Sequence, residues 1–459
     1  MSTERKGFKE KMKRIDFEHG SIPSNILNAA IPMLVAQLLS LLYNIIDRIY
    51  IARIPHIGTT ALGAVGLCFP IIVIITAFSN LFGSGGAPLF SIYRGKKETE
   101  QANRIMHTSF TMVCVSAILL MTIGLVFARP LLVLFGASGD ALVYAYPYMM
   151  LYLIGTLPSM IAVGMNPFIN AQGYSLVGMC SVAIGAAANL LLDPLFIFVF
   201  GLGVQGAAVA TVLSQLLSAS FVLLFLTKKA ELKVRFLRKA ELSQCIDYAK
   251  NIVSLGTSGF VMQLTNSLVT ICCNNVLSVT GGDIYISVMT IVSSVRQLVE
   301  TPIYAITEGT SPILSYNYGA KNRDRVKKAF KLLLTASLCY STILWAFIML
   351  FPQVFAEMFT SDSALLGFTK SALRIYCACL LLFGIQIACQ MAFTSFGKAK
   401  ASIAVAVTRK FILLLPLIYL LPHILTGNKT NAVYMAEPIA DFLAVSFTTV
   451  LFTFQFRKV

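Results

Sequence analysis

Apolar stretches of about twenty residues recur along nearly the whole chain, each set off by short polar and basic segments. At 1.5 Å of rise per residue, a helix of roughly 20 residues crosses the hydrocarbon core of a bilayer. Within lipid every backbone polar group must find its partner inside the structure, so only helices and closed barrels span. Barrel strands read as short alternating segments, and these runs do not alternate. Twelve spans are legible, at about 26–51, 62–83, 106–128, 141–164, 175–200, 204–226, 251–276, 285–309, 331–351, 366–391, 402–421 and 432–455. The expected fold class is an all-α membrane protein. Composition agrees: 57% of residues are hydrophobic and 12% charged, against roughly 25% charged in soluble domains. The opening MSTERKGFKEKMKRIDFEHG is polar and lacks a signal-peptide pattern.

The net charge of +16 could suggest a nucleic-acid partner in a soluble protein. Here the basic residues lie between the apolar runs and report orientation instead; no nucleic acid is expected. One set of loops and both tails hold about 27 of them: Arg5, Lys6, Lys9, Lys11, Lys13 and Arg14; Arg94, Lys96, Lys97 and Arg104; Lys228, Lys229, Lys233, Arg235, Arg238, Lys239 and Lys250; Lys321, Arg323, Arg325, Lys327, Lys328 and Lys331; Lys398 and Lys400; Arg457 and Lys458. The alternate loops hold about four, Arg53, Arg129, Lys370 and Lys429. The rich side is expected to be cytoplasmic, with both termini inside, and only an even number of spans keeps the two sets apart.

The chain repeats itself at one offset. Gly85-Gly-Ala-Pro-Leu-Phe-Ser-Ile-Tyr-Arg-Gly95 matches Gly309-Thr-Ser-Pro-Ile-Leu-Ser-Tyr-Asn-Tyr-Gly319, pairing Pro88 with Pro312, Ser91 with Ser315 and Gly95 with Gly319, each 224 residues apart. Asn170-Ala-Gln-Gly173 stands opposite Thr394-Ser-Phe-Gly397 at the same offset. Six spans per half make the repeat parallel, related by an axis along the membrane normal, with a substrate site expected between the halves near mid-membrane. The division reads as a tail 1–24, an N-lobe 25–227, a linker 228–250 and a C-lobe 251–459.

Two acids lie in apolar surroundings, Asp47 in the first span and Asp193 in the fifth. An ionised Asp at a helix centre costs about 2.5–3.5 kcal/mol on insertion scales, so such a residue faces protein or a water-filled cavity. Each has a polar residue four positions earlier, on the same helix face: Tyr43 for Asp47 and Asn189 for Asp193. Asp193 precedes Pro194, which denies a carbonyl one turn back its donor. Gln37, Ser40, Asn44 and Asp47 form a polar stripe on the first span, and Gln263, Asn266, Thr270 and Asn274 form one on the seventh. Of these, Gln37, Asn44, Gln263 and Asn266 are the expected lining of a substrate cavity. The positions 224 beyond Asp47 and Asp193 are Ile271 and Leu417, so ion coupling is expected in the N-lobe alone. A buried carboxyl favours its neutral form and can trade protons, and two close together titrate as a pair. An inward proton yields about 2.3 kcal/mol per 100 mV and about 1.4 kcal/mol per pH unit. The plainer reading of Asp47 is an interfacial ion pair with Arg48 or Arg53.

The remaining charges carry less. Arg296 and Glu300 have ion-pair spacing, Glu300 and Glu308 flank the eighth span, and Glu437 and Asp441 are expected near the external interface. Arg409 and Lys410 either snorkel or lie buried. Most of the ten cysteines lie inside apolar runs without CxxC spacing. The four histidines have no metal spacing, and GxxxxGK[ST], GxSxG and HExxH patterns are missing. Neither an enzyme, a resident cofactor nor a metal site is expected.

With these residues in hand the whole chain resembles the MATE family, the multidrug and toxic compound extrusion transporters, closest to its MepA-like and DinF-like branch. The resemblance is carried by the first span with Asp47, by Gly83-Ser-Gly-Gly running to Gly95, and by Asn170-Ala-Gln-Gly173 leading to Asn189-Leu-Leu-Leu-Asp193-Pro. It continues in Gly203-Val-Gln-Gly-Ala-Ala-Val-Ala-Thr211, Ser315-Tyr-Asn-Tyr-Gly319 and Ala436-Glu-Pro-Ile-Ala-Asp441. It implies twelve transmembrane helices in two parallel pseudo-symmetric lobes, working as a monomer. It also implies export of bulky, often cationic organic compounds in exchange for H+ or Na+ by rocking of the lobes in a bacterial inner membrane. Asp47, Asn189 and Asp193 match that branch's N-lobe cation site, and Tyr43, Tyr148 and Thr211 match its network by position. The chain departs from the NorM-like branch, with Asn266 where that branch has a Glu and no acid in the tenth span; a C-lobe sodium site is not implied. Two other readings stay open: a lipid-linked oligosaccharide flippase of the wider superfamily, which needs a cavity lined by Arg or Lys, and a membrane receptor or scaffold.

Overall fold

The structure, a computed structural model, describes residues 14–456 except 56, 138, 238–240, 361 and 426. Of the basic residues counted above, Arg5, Lys6, Lys9, Lys11, Lys13, Arg238, Lys239, Arg457 and Lys458 lie outside the described residues, as does His56. Among the described residues all regular structure is helical. In order the spans are α1 (Ile22–Ala52), α2 (Gly58–Gly95), α3 (Thr99–Leu134), α4 (Gly139–Ile154 and Thr156–Ala171), α5 (Ser175–Val199) and α6 (Gly203–Lys229). They continue as α7 (Leu242–Thr280), α8 (Asp283–Gly319), α9 (Arg323–Leu350), α10 (Ser363–Tyr376 and Phe383–Ser395), α11 (Ala399–Ile424) and α12 (Lys429–Phe456). Among the described residues nine helices are individually long and apolar enough to cross a membrane, and the two broken ones bring the number to eleven. The twelfth, α8, has the length at 37 residues but carries Arg296, Glu300 and Glu308.

Most helices outrun the apolar stretches that reveal them. The second extends to Gly95 rather than 83, and α7 begins at Leu242, so the linker read as 228–250 narrows to the residues between Lys229 and Leu242. Hydropathy senses only the part of a helix in lipid, whereas its polar ends continue into water. The two halves of α4 meet at 56°. The hinge is Gly155, where any Cβ would press on the Val212 side chain of α6.

Two separate hydrophobic cores make two lobes. One, from Ile51 to Ile252, is built by α1–α6 and the start of α7. The other, from Val269 to Ala440, is built by α7–α12. Between the lobes the repeat becomes geometry. A Cβ on Gly95 would overlap the Tyr316 carbonyl of α8, and one on Gly319 would overlap the Ile92 carbonyl of α2. Likewise Gly85 of α2 abuts Ile252 and Gly256 of α7, while its repeat partner Gly309 of α8 abuts Ala30 of α1. Only glycine lets backbones approach this closely.

On the face that carries the first and last described residues, the terminal face, residues 14–20 bridge the lobes. The Ile15 amide donates to the Gly173 carbonyl (2.9 Å) and Arg14 pairs with Glu231 (2.8 Å). Glu18 accepts from the Tyr316 hydroxyl (3.0 Å) and pairs with Lys97 (3.3 Å). Arg325 donates to the carbonyls of Phe17 (3.0 Å) and Gly20 (2.7 Å), and Asn317 donates to Phe17 (3.1 Å). Phe17 packs in a third apolar cluster with Ile313, Phe330 and Phe396 of the C-lobe. Deeper in, Asn80 of α2 donates to Gln263 of α7 (2.9 Å) beside the Phe78–Phe260 contact (5.0 Å). Together these contacts close the terminal face.

Candidate ion site in the N-lobe

The fifth helix runs through Pro194 and widens into a π turn over Leu195–Val199. Such widenings accommodate a residue that cannot donate into the helical ladder. Asp193, just before it, is 0% exposed. Its Oδ1 accepts from Asn189 Nδ2 at 3.2 Å, and the same amide lies 3.5 Å from Thr211 Oγ1 of α6. From α1, Asp47 brings its carboxyl beside that of Asp193. Carboxylates are acceptors only, so two side by side repel unless a proton or another cation lies between them.

The six residues read as an ion site sit on four helices around this pair. Tyr148 of α4 is buried, lies beside both acids, and stacks on Tyr152 with ring centres 6.3 Å apart. Tyr43 is half-buried one turn from Asp47 and next to Tyr152. Tyr152 in turn meets Gln215 Nε2 of α6 at 3.5 Å. Tyr152 and Gln215 escaped the sequence reading, yet each repeats the one-turn spacing found for the acids: Tyr148 with Tyr152, Thr211 with Gln215.

Electrostatically the site is acidic and unneutralised. Neither Asp47 nor Asp193 forms an ion pair with a described residue, and Arg48 turns instead onto the Phe69 ring at 5.4 Å. The interfacial ion pair proposed for Asp47 with Arg48 or Arg53 is therefore not what holds it. Asp47 Oδ1, Asp193 Oδ2, Asn189 Oδ1 and Gln215 Oε1 are all buried with no donor from the described residues. Acceptor oxygens gathered without donors suit a cation, either a proton or a small alkali ion.

Of the four residues expected to line a substrate cavity, Gln37 and Gln263 lie at the lobe interface, donating to Glu308 Oε2 (3.0 Å) and accepting from Asn80. Asn44 and Asn266 are exposed. Exposed amides in the middle of a span are costly against lipid, and Asn44 lies on the helix that turns Gln37 toward the other lobe.

The C-lobe corrects one expectation. Glu437 and Asp441 do not lie at an interface; they are 4% and 3% exposed, inside the lobe. Asp441 accepts from Arg296 of α8 (2.7 Å) and Arg409 of α11 (2.8 Å), and Glu437 accepts from Arg409 (3.1 Å). Arg296 also bonds Glu300 at 2.6 Å, the pair expected from spacing, and packs on Tyr376 and Phe383. Arg409 and Lys410 sit on a π turn, Thr408–Leu414, and are buried rather than snorkelling. An acid flanked by two guanidiniums is neutralised where it stands, so it has no need of water. The N-lobe acids lack such partners.

Comparisons with known proteins agree with this architecture. The MatE family model matches residues 32–195 and 259–420, once in each lobe. The multidrug export protein MepA of Staphylococcus haemolyticus is 24% identical over 94% of both chains. A FAD transporter of Shewanella oneidensis is 27% identical over 91% of both. Among solved structures, a MATE protein in complex with MaL6 superposes with a TM-score of 0.89 at 23% identity, over 97% of this chain and 99% of that one. An outward-facing multidrug resistance MATE family transporter gives 0.88 at 24% identity, over 97% and 98%. With twelve spanning helices, two pseudo-symmetric lobes and a family match in each, the chain belongs to the MatE family of multi-pass membrane transporters.

Proposed function

We propose that this transporter exports bulky, often cationic organic compounds in exchange for H+ or Na+, by alternating access across a bacterial inner membrane, with both termini in the cytoplasm. The observation that carries the reading is the Asp47–Asp193 pair in one lobe, Asp193 buried and Asp47 half-buried beside it, with neither acid in an ion pair with a described residue. The MepA relatives are multidrug export proteins, and the bulky, often cationic character of the compounds is what the family resemblance implies; the charge of the loops supplies the orientation.

Chemically, this chain's residues do the following. Asn189 and Thr211 fix Asp193 on α5, and Asp47 arrives from α1. A cation held between the carboxyls draws α1 onto α5; its loss leaves two like charges facing each other and pushes the helices apart. Since α1 also touches the C-lobe through Ala30 and Gln37, a change in its position reaches the lobe interface. Driven inward, one proton expels one monovalent compound with no net charge movement, and about tenfold accumulation then accompanies each pH unit.

The test is efflux of a cationic dye from proteoliposomes under an imposed pH or sodium gradient, with wild type and Asp193→Asn. Gradient-driven efflux that is lost in the variant supports the reading, and unchanged efflux and coupling in the variant rejects it. A flippase for lipid-linked oligosaccharides would need basic residues lining the cavity. Arg296 and Arg409 are instead engaged in ion pairs inside the C-lobe, which disfavours that alternative.

A further inference from the structure

Glu308 is an exposed acid within a membrane-spanning helix, about 16 Å of helix rise from the end of α8. Charge in such a place is not presented to lipid. It faces the interface of the lobes, because its Oε2 accepts at 3.0 Å from Gln37 Nε2 on α1 of the other lobe. It is surrounded by protein and still accessible, as befits a cavity wall. No described residue forms an ion pair with it, in contrast to Glu300, Glu437 and Asp441 on the same lobe, each of which meets an arginine. Its partner is a neutral amide, which satisfies one carboxylate oxygen and leaves the charge uncompensated.

We propose that Glu308 is the counter-charge for the cationic group of the transported compound, and that compound and Gln37 compete for its carboxylate. This deepens the function proposed above and rests on it. A cation makes a stronger bond to a carboxylate than an amide does, and a carboxylate inside a cleft is screened less by salt than one on an open surface. When the compound takes Glu308, the Gln37 bond that ties α1 to α8 is given up. Gln37 and Asp47 stand on one helix, about 15 Å apart along it. Occupancy of the cleft and the state of the ion pair therefore act on the same rigid element. Ion-free release and compound binding need no long wire between them, only the tilt of α1.

The experiment uses the purified full chain in nanodiscs and two aromatic probes of similar size, cationic tetraphenylphosphonium and uncharged triphenylphosphine oxide. Glu308→Gln is expected to weaken tetraphenylphosphonium binding roughly tenfold and to change triphenylphosphine oxide binding less than about twofold. Glu308→Asp keeps the charge and is expected to keep the preference for the cation. Gln37→Leu removes the competitor and is expected to tighten the cation alone. The proposal is overturned by unchanged cation affinity in Glu308→Gln, by equal losses for both probes, or by a Gln37→Leu variant that does not bind the cation more tightly. If wild type in proteoliposomes moves neither probe under any ion gradient, the export reading fails. If wild type is gradient-driven and Glu308→Gln matches it for both probes, only the counter-charge assignment falls.

Discussion

Gly95 and Gly319 stand 224 residues apart in sequence and against each other's helices in space, each where a methyl group would strike the carbonyl three residues before the other. The reciprocity marks the pseudo-twofold axis at the terminal face, where α2 and α8 cross. It also makes this a close approach of backbone to backbone between the lobes. Gly319→Leu and Gly95→Leu are expected to hold this face apart. Spin labels or cysteine cross-links across it should report a wider, more mobile gap in either variant, and transport should fall. Gly63→Leu is the control, since nothing lies within 4 Å of a Cβ at that position; an equal effect there would show that the axis has no special part.

The two acids of the N-lobe act as a unit. Asp47→Asn and Asp193→Asn should each abolish gradient-driven efflux, and the double variant should lose no more than either alone, because two carboxyls that hold one cation between them do not act additively. Proton release on adding substrate to detergent-solubilised protein, read with a pH dye, is expected from wild type and from neither single variant. Losses that add across the double variant would mean the carboxyls work separately.

What the sequence discloses here is what travels along one helix or at one offset. Asp47, Asn189 and Asp193 stand out because a carboxyl in an apolar run is costly, and the one-turn spacing to Asn189 returns as a hydrogen bond. Repeat partners Gly95 and Gly319 return as a reciprocal contact. What it conceals is which helix faces meet. Asp441 is 145 residues from Arg296 and 32 from Arg409, so nothing local tells a neutralised buried acid from one near water, and Glu437 and Asp441 are misplaced for that reason. Glu308 bonds to a residue 271 positions away and reads from sequence as a flanking charge. Tyr152 and Gln215 carry the right spacing, but a tyrosine or glutamine in a span has no charge to betray it.

Removal of one member of the C-lobe network should be far more damaging than its chemistry suggests. Asp441→Asn leaves Arg296 and Arg409 buried with one of the two carboxylates they share gone, Glu437 being the other, and breaking a buried pair this way costs about 3–5 kcal/mol. The variant is expected to unfold at markedly lower temperature in a detergent melt. Replacing Arg409 and Asp441 together by Met removes an opposite pair and should restore much of that loss. Since these acids are already matched by arginines, the double variant should keep the ion dependence of wild type. A changed ion dependence in a well-folded double variant would move part of the coupling into the C-lobe.

Closure by residues 14–20 is expected to be indifferent to pH near neutrality. The Tyr316 hydroxyl first, and Lys97 beside it, hold the Glu18 carboxyl below the ordinary glutamate range. A lowered value means that the contact is fully present above the ordinary value, about 4.3, and fades only as pH falls through the lowered one. Hydrogen exchange at the Ile15 amide, which donates to Gly173, corrected for its intrinsic rate, should then be flat from pH 8 to 6 and rise only in stronger acid. Glu18→Gln should raise it at every pH by the same factor. Protection that disappears between pH 8 and 6 would show that the segment is itself tied to a group titrating near neutrality, and the terminal face would then sense the proton directly rather than through α1.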